Sequence, residues 1–117
     1  MNGTWTGLTP TSGSTESEVF SLVLSGGNIY AGGYSGNGSL NNPGYWMNGD
    51  WVGLPVPQGS TGGYISSIIV AGGNVLAGGS AGGITPDIPG YWLNDLWVAL
   101  PMPVGSSAGS VLSINIQ

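Results

Sequence analysis

Few residues in this chain carry groups that could do chemistry. Apart from its tyrosines, the titratable side chains are five carboxylates, Glu16, Glu18, Asp50, Asp87 and Asp95, and there is no Lys, Arg, His or Cys. Acid–base catalysis needs two groups whose proton affinities are set apart by their surroundings. Glu16 and Glu18 stand two apart in a Ser/Thr-rich stretch, with nothing to tune or assist them, so they read as solvated loop charges. Asp87, Asp95 and loop carbonyls are the oxygen donors available to calcium, but no carboxylates alternate at the spacing of a calcium loop. The glycine runs GGYSGNG (32–38) and GGSAGG (78–83) lack the lysine and the following helix of a phosphate-cradling loop. The sequence therefore predicts no catalytic residue, no cofactor, no metal and no enzyme activity.

Aromatic residues are the richer set. Tyr45, Trp46 and Trp51 recur as Tyr91, Trp92 and Trp97. Such rings can stack on sugar faces while their polar edges meet hydroxyls, or they can pack a core between repeated units. Tyr45 and Trp46, like Tyr91 and Trp92, are sequence neighbours, so within a strand one of each pair faces the opposite side. Tyr45, Trp46, Tyr91 and Trp92 are accordingly the candidate ligand aromatics. Asn2-Gly3-Thr4 and Asn37-Gly38-Ser39 fit the acceptor pattern for N-glycosylation at Asn2 and Asn37.

Composition limits partners. A net charge of −5 with no basic side chain leaves nothing to neutralise a phosphate, so nucleic acid and anionic membrane surfaces are excluded as partners. No apolar run is long enough to cross a bilayer as a helix, and the N-terminus lacks the basic and apolar regions of a secretion signal. A Gly/Ser/Thr/Asn-rich, lysine-free chain suggests an extracellular or cell-surface setting. That fits a mature form, a piece of a longer chain or export by another route. Without cysteine there is no disulfide framework.

These residues are positioned by a repeat. From Gly26 to Gly72, and from Trp51 to Trp97, is 46 positions with no insertion, and one more step back places Trp5 in the same column. A fixed period in this range marks an architecture whose units cannot bury their apolar faces alone. With 24 Gly and 8 Pro among 117 residues there is little room for helix.

Each unit reads as four short strands. The first, at 19–24, 65–70 and 111–116, is a nearly continuous apolar run that fits a strand buried on both faces. The second is 29–33 or 75–79, followed by a loop at 34–42. The third, 44–47, turns at Asn48-Gly49 into the fourth, 50–54, and Asn-Gly is a strong hairpin signal. A lone fourth strand at 4–8 opens the chain after a Ser/Thr/Gly loop at 9–18 is set aside. The order predicts an all-β chain with a partial unit at 1–18, whole units at 19–64 and 65–110, and a stray first strand at 111–117.

Four antiparallel strands per unit of this length match a propeller blade. The series VFSLVLSGGNIYAGG, then Tyr45, Trp51 and the proline segment, resembles the kelch repeat. Gly32-Gly33 and Gly78-Gly79 match its double glycine, and Tyr45 with Trp51 and Tyr91 with Trp97 match its aromatic pair. The Tyr-to-Trp spacing is one residue shorter than usual and the basic residue after the prolines is missing. Gly-Tyr-Trp-x-Asn is similar to repeats of bacterial extracellular propellers. The resemblance implies a β-propeller-type fold of about two and a half blades.

Two roles are compatible with these residues. One is a structural, self-assembling module that associates head-to-tail through its terminal strands, at Thr4, Trp5 and Leu8 and at Val111, Leu112, Ile114 and Ile116, as an oligomer or fibre. The alternative is a carbohydrate-binding propeller with glycans as partners.

Overall fold

The computed structural model describes residues 3–37, 41–82, 87–103, 105 and 109–114. Its eight strands are β1 (Glu16–Ser25), β2 (Asn28–Gly36), β3 (Asn41–Met47), β4 (Asp50–Gly53), β5 (Gly62–Ala71), β6 (Asn74–Gly82), β7 (Ile88–Leu93) and β8 (Leu96–Ala99). They form two four-stranded antiparallel meanders, β1-β2-β3-β4 and β5-β6-β7-β8. Among the described residues there is no helix.

Local chemistry fixes the meanders. Gly26 and Gly27 have φ of 57° and 81°, and Gly72 and Gly73 repeat this at 58° and 82°. Two successive left-handed residues make the tight turn that suits the twist of a hairpin, and only glycine adopts it without strain. At the second turn of each sheet an asparagine takes the left-handed place, Asn48 at 52° and Asn94 at 56°. Its side chain accepts the N–H of Ile29 or Val75 at 2.9 Å.

The strands run further than apolar residues alone indicate. β1 and β5 start three residues early, and β2 and β6 continue past the double glycine to Gly36 and Gly82. Pairs such as Glu16↔Gly36 and Ser17↔Ser35 extend the ladder through the expected loop. The ladder is built from backbone groups and does not need apolar side chains. The double glycine makes room for it, since a Cβ on Gly33 or Gly79 would run into the carbonyl oxygen of Glu18 or Tyr64.

Each first strand carries a bulge, between Val19 and Ser21 and between Ile65 and Ser67. It places one extra residue, Phe20 or Ser66, in the strand. A bulge re-aims side chains and increases local twist.

The main core lies between the sheets. β5 crosses the face of β1, β2 and β3, and Tyr30, Leu54, Ile65, Ile68, Val75, Ala77 and Trp92 form one cluster there. Burying each large side chain contributes roughly 1.5–3 kcal/mol. Ile65 and Ile68 lie on Gly32, where a Cβ would meet Ile65 Cγ2 at 2.9 Å. Phe20 reaches across to Tyr64, with ring centroids 6.0 Å apart.

Three expectations fail. Residues 4–8 form no strand, and Trp5 is 90% exposed. Trp51 and Trp97, the repeat equivalents of Trp5, each pair with the strand before them. Residues 111–114 lie on the second sheet without joining a ladder. The first strand of the first unit is not buried on both faces, because Val19, Leu22 and Leu24 on one side of β1 are exposed (below). Asn2 and Ile116 lie outside the described residues.

Candidate functional site

Alternation along the strands sorts the aromatic residues. Tyr45 pairs with Gly32 and lies on the side of the first sheet that meets the second, while Trp46 pairs with Ala31 and faces away. Trp46 is 2% exposed and Trp92 0%. Trp46 Nε1–H donates to the Thr9 carbonyl at 2.7 Å, and Trp92 Nε1–H to the Pro55 carbonyl at 2.6 Å. Each packs on its ladder partner, with centroids 4.7 Å from Trp51 and 4.5 Å from Trp97.

Trp46 and Trp92 are therefore interior residues whose only polar group is already used. The expectation that they offer a ligand platform is corrected on that ground. Tyr45 and Tyr91 stay half-buried. Burial, then the Tyr30 phenol and the Asp95 carboxylate, push the Tyr45 phenol above its ordinary range.

A cluster of hydroxyls lies beside β2. In the first unit, Thr11, Ser14 and Ser17 converge on the buried Ser35 hydroxyl, with Ser14 at 2.8 Å and Ser17 at 2.9 Å. The second unit has Pro57, Ser60, Gly63 and Ala81 at these positions. The network is lost there, and Ser60 Oγ is buried without a hydrogen-bond partner. Nearby, Asn41, Thr61, Tyr64, Ser80 and Asp87 line a cleft of about 220 Å³. Among the described residues no group of three or more metal-ligating side chains is gathered.

Glu16 and Glu18 stand on β1, not on a loop as expected. Glu18 is opposite Tyr34 in the ladder. Partial desolvation, then the charges of Glu18 and Glu16, hold the Tyr34 phenol above its ordinary range. Asn37 follows the last residue of β2 and is exposed.

The largest irregularity is apolar. Val19, Leu22 and Leu24 of β1 are 43%, 61% and 57% exposed, side by side on the face turned away from the second sheet. Their repeat equivalents, 46 positions on, are Ile65, Ile68 and Val70. Ile65 and Ile68 are 0% and 2% exposed, buried on the first sheet. One unit thus buries this face and the other leaves it open.

The far side of the second sheet is covered by residues 111–114. Val111 N–H donates to the Gly79 carbonyl at 3.1 Å. Ile114 N–H donates to Ser67 Oγ at 3.0 Å. Ser66 Oγ donates to the Val111 carbonyl. Between sheets the same step occurs 46 residues earlier, with Ile68 N–H donating to Ser21 Oγ at 3.1 Å. A Cβ on Gly78 would collide with Ile114 and Val111, as one on Gly32 would with Ile65 and Ile68. Residues 111–114 copy the contacts of β5, and Leu76, Tyr91, Leu100, Val111, Ser113 and Ile114 line a groove of about 400 Å³.

Of the residues expected to mediate assembly, Leu8, Val111 and Ile114 are half-buried against the chain, whereas Thr4, Trp5 and Leu112 are exposed. Val19, Leu22 and Leu24 were not singled out by the sequence. Their signal was present, since they share columns with Ile65, Ile68 and Val70. No protein-family model, no curated protein and no solved structure matches the chain.

Proposed function

We propose that this chain is a non-enzymatic, extracellular structural module built of kelch-like, propeller-type blades, which self-assembles head-to-tail through its two end faces and terminal segments. One observation carries the reading: Leu22 is 61% exposed at the repeat position where Ile68 is 2% exposed. The two faces that meet between the sheets each recur once more, one exposed on β1 and one covered, among the described residues, by residues 111–114. A contact between different faces of identical molecules is heterologous, so it closes a ring or continues as a fibre according to the rotation between copies.

Sedimentation velocity and negative-stain microscopy over a wide concentration range test this. Growing oligomers or fibres are expected, with Leu22→Asp remaining monomeric. A folded monomer at high concentration would refute the proposal. Carbohydrate binding is the second reading, favoured by the half-buried Tyr91 on the wall of the apolar groove. A glycan array read by tryptophan fluorescence tests it.

A further inference from the structure

Building on the self-assembly reading, we infer that residues 111–114 occupy, within their own molecule, the seat that β1 of a second copy takes on assembly, so that the tail acts as an internal stopper. The internal interface is the template. There, Ile65 and Ile68 of the arriving sheet bury on Gly32, and Ile68 N–H donates to Ser21, which follows the bulge of the receiving sheet. The second sheet has the same receiving features in Gly78 and Ser67. Both are held by Val111 and Ile114.

The equivalents of Ile65 and Ile68 that lack a receiving sheet are Val19 and Leu22. In a second copy they have the apolar character, the strand geometry and the spacing to replace Val111 and Ile114. Leu22 N–H then donates to Ser67 Oγ. The copy also brings a whole sheet behind the docking strand, which fills the groove lined by Leu76, Tyr91 and Leu100.

The exchange is favourable because a single segment held by Val111 and Ile114 yields to a strand backed by an ordered sheet. The seat is available only in molecules whose tail has lifted. Apparent affinity is therefore reduced by the fraction in that state.

The experiment compares the full chain, a chain ending at Ser110, and the full-length variant Ile114→Asp, which loosens the tail while keeping it. Far-UV circular dichroism confirms that each is folded, and if the truncated chain melts, Ile114→Asp decides. Both should assemble at a concentration lower than the full chain by roughly tenfold, the factor for a tail lifted about a tenth of the time. Adding Leu22→Asp to either should restore the monomer.

If the full chain assembles and the altered tails assemble no better, the stopper is refuted while self-assembly stands, with the tail inserting into its neighbour. If Leu22→Asp leaves assembly of the altered chains intact, β1 is not the occupant. If no form associates at any concentration, self-assembly and the inference resting on it fail together.

Discussion

Ile68 and Leu22 occupy one repeat position in two environments, so truncating each to alanine isolates the contribution of burial. Ile68 is 2% exposed and packs in the cluster between the sheets. Removing its outer carbons loses their transfer energy and leaves a space that the flanking strands close only in part, a cost of about 2–5 kcal/mol. For a chain of this size each kcal/mol lowers Tm by roughly 3–6 °C, so Ile68→Ala should melt about 10 °C lower or more. Leu22 is 61% exposed, and Leu22→Ala should cost less than about 1 kcal/mol in the monomer. Urea unfolding followed by circular dichroism, at a dilution where no association occurs, compares the two. An unchanged m-value would show that the midpoint shift reports stability and not an altered unfolded state. Equal costs for the two variants would refute the packing described between the sheets. A cost for Leu22→Ala that grows with protein concentration would instead report the loss of association.

Other perturbations test separate parts of the structure. Trp92→Phe removes the donor to the Pro55 carbonyl and should cost about 1–3 kcal/mol, read as a urea midpoint shift. Gly79→Val drives a side chain into the Tyr64 carbonyl and should cost about 3 kcal/mol, the upper end for overpacking; a variant that melts with the parent would remove any special role for the double glycine. In an alkaline titration followed by ultraviolet absorbance, Glu18→Gln should lower the Tyr34 midpoint by deleting one of the charges that raise it. Because the folded state keeps this phenol protonated to higher pH than the unfolded chain does, stability should be unaffected below pH of about 10 and decline above it. Each copy carries a net charge of −5, so added salt should lower the concentration needed for assembly; sedimentation at two ionic strengths measures this.

The repeat made the sheets legible. Glycine pairs and Asn-Gly fixed the turns, and the strands followed as runs between them, because turn geometry depends on a few residue types. Strand ends were less legible. Glu16, Ser17, Ser35 and Gly36 look like loop residues, yet they pair because a ladder uses main-chain groups. The fate of the aromatic residues depended on neighbours distant in sequence. Trp46 is interior because the Thr9 carbonyl, 37 residues away, takes its N–H. The open face of β1 was hidden for the opposite reason. Val19 and Leu22 resemble core residues in type and pattern, and only the arrangement of sheets reveals that they stand exposed.

The serines that follow the two bulges have one more consequence. Ser21 and Ser67 receive the next isoleucine N–H at 3.1 Å and 3.0 Å, so the same small displacement and turn is applied twice within 117 residues. An object generated by repeating a single step inherits its curvature from that step, and angular differences add once per unit. Lengthening this side chain by a single carbon, as in Ser67→Asn, would barely alter one junction. Over many junctions it would change the diameter of a ring or the pitch of a fibre, so the dimensions of the largest object this chain could build are set at one hydroxyl group.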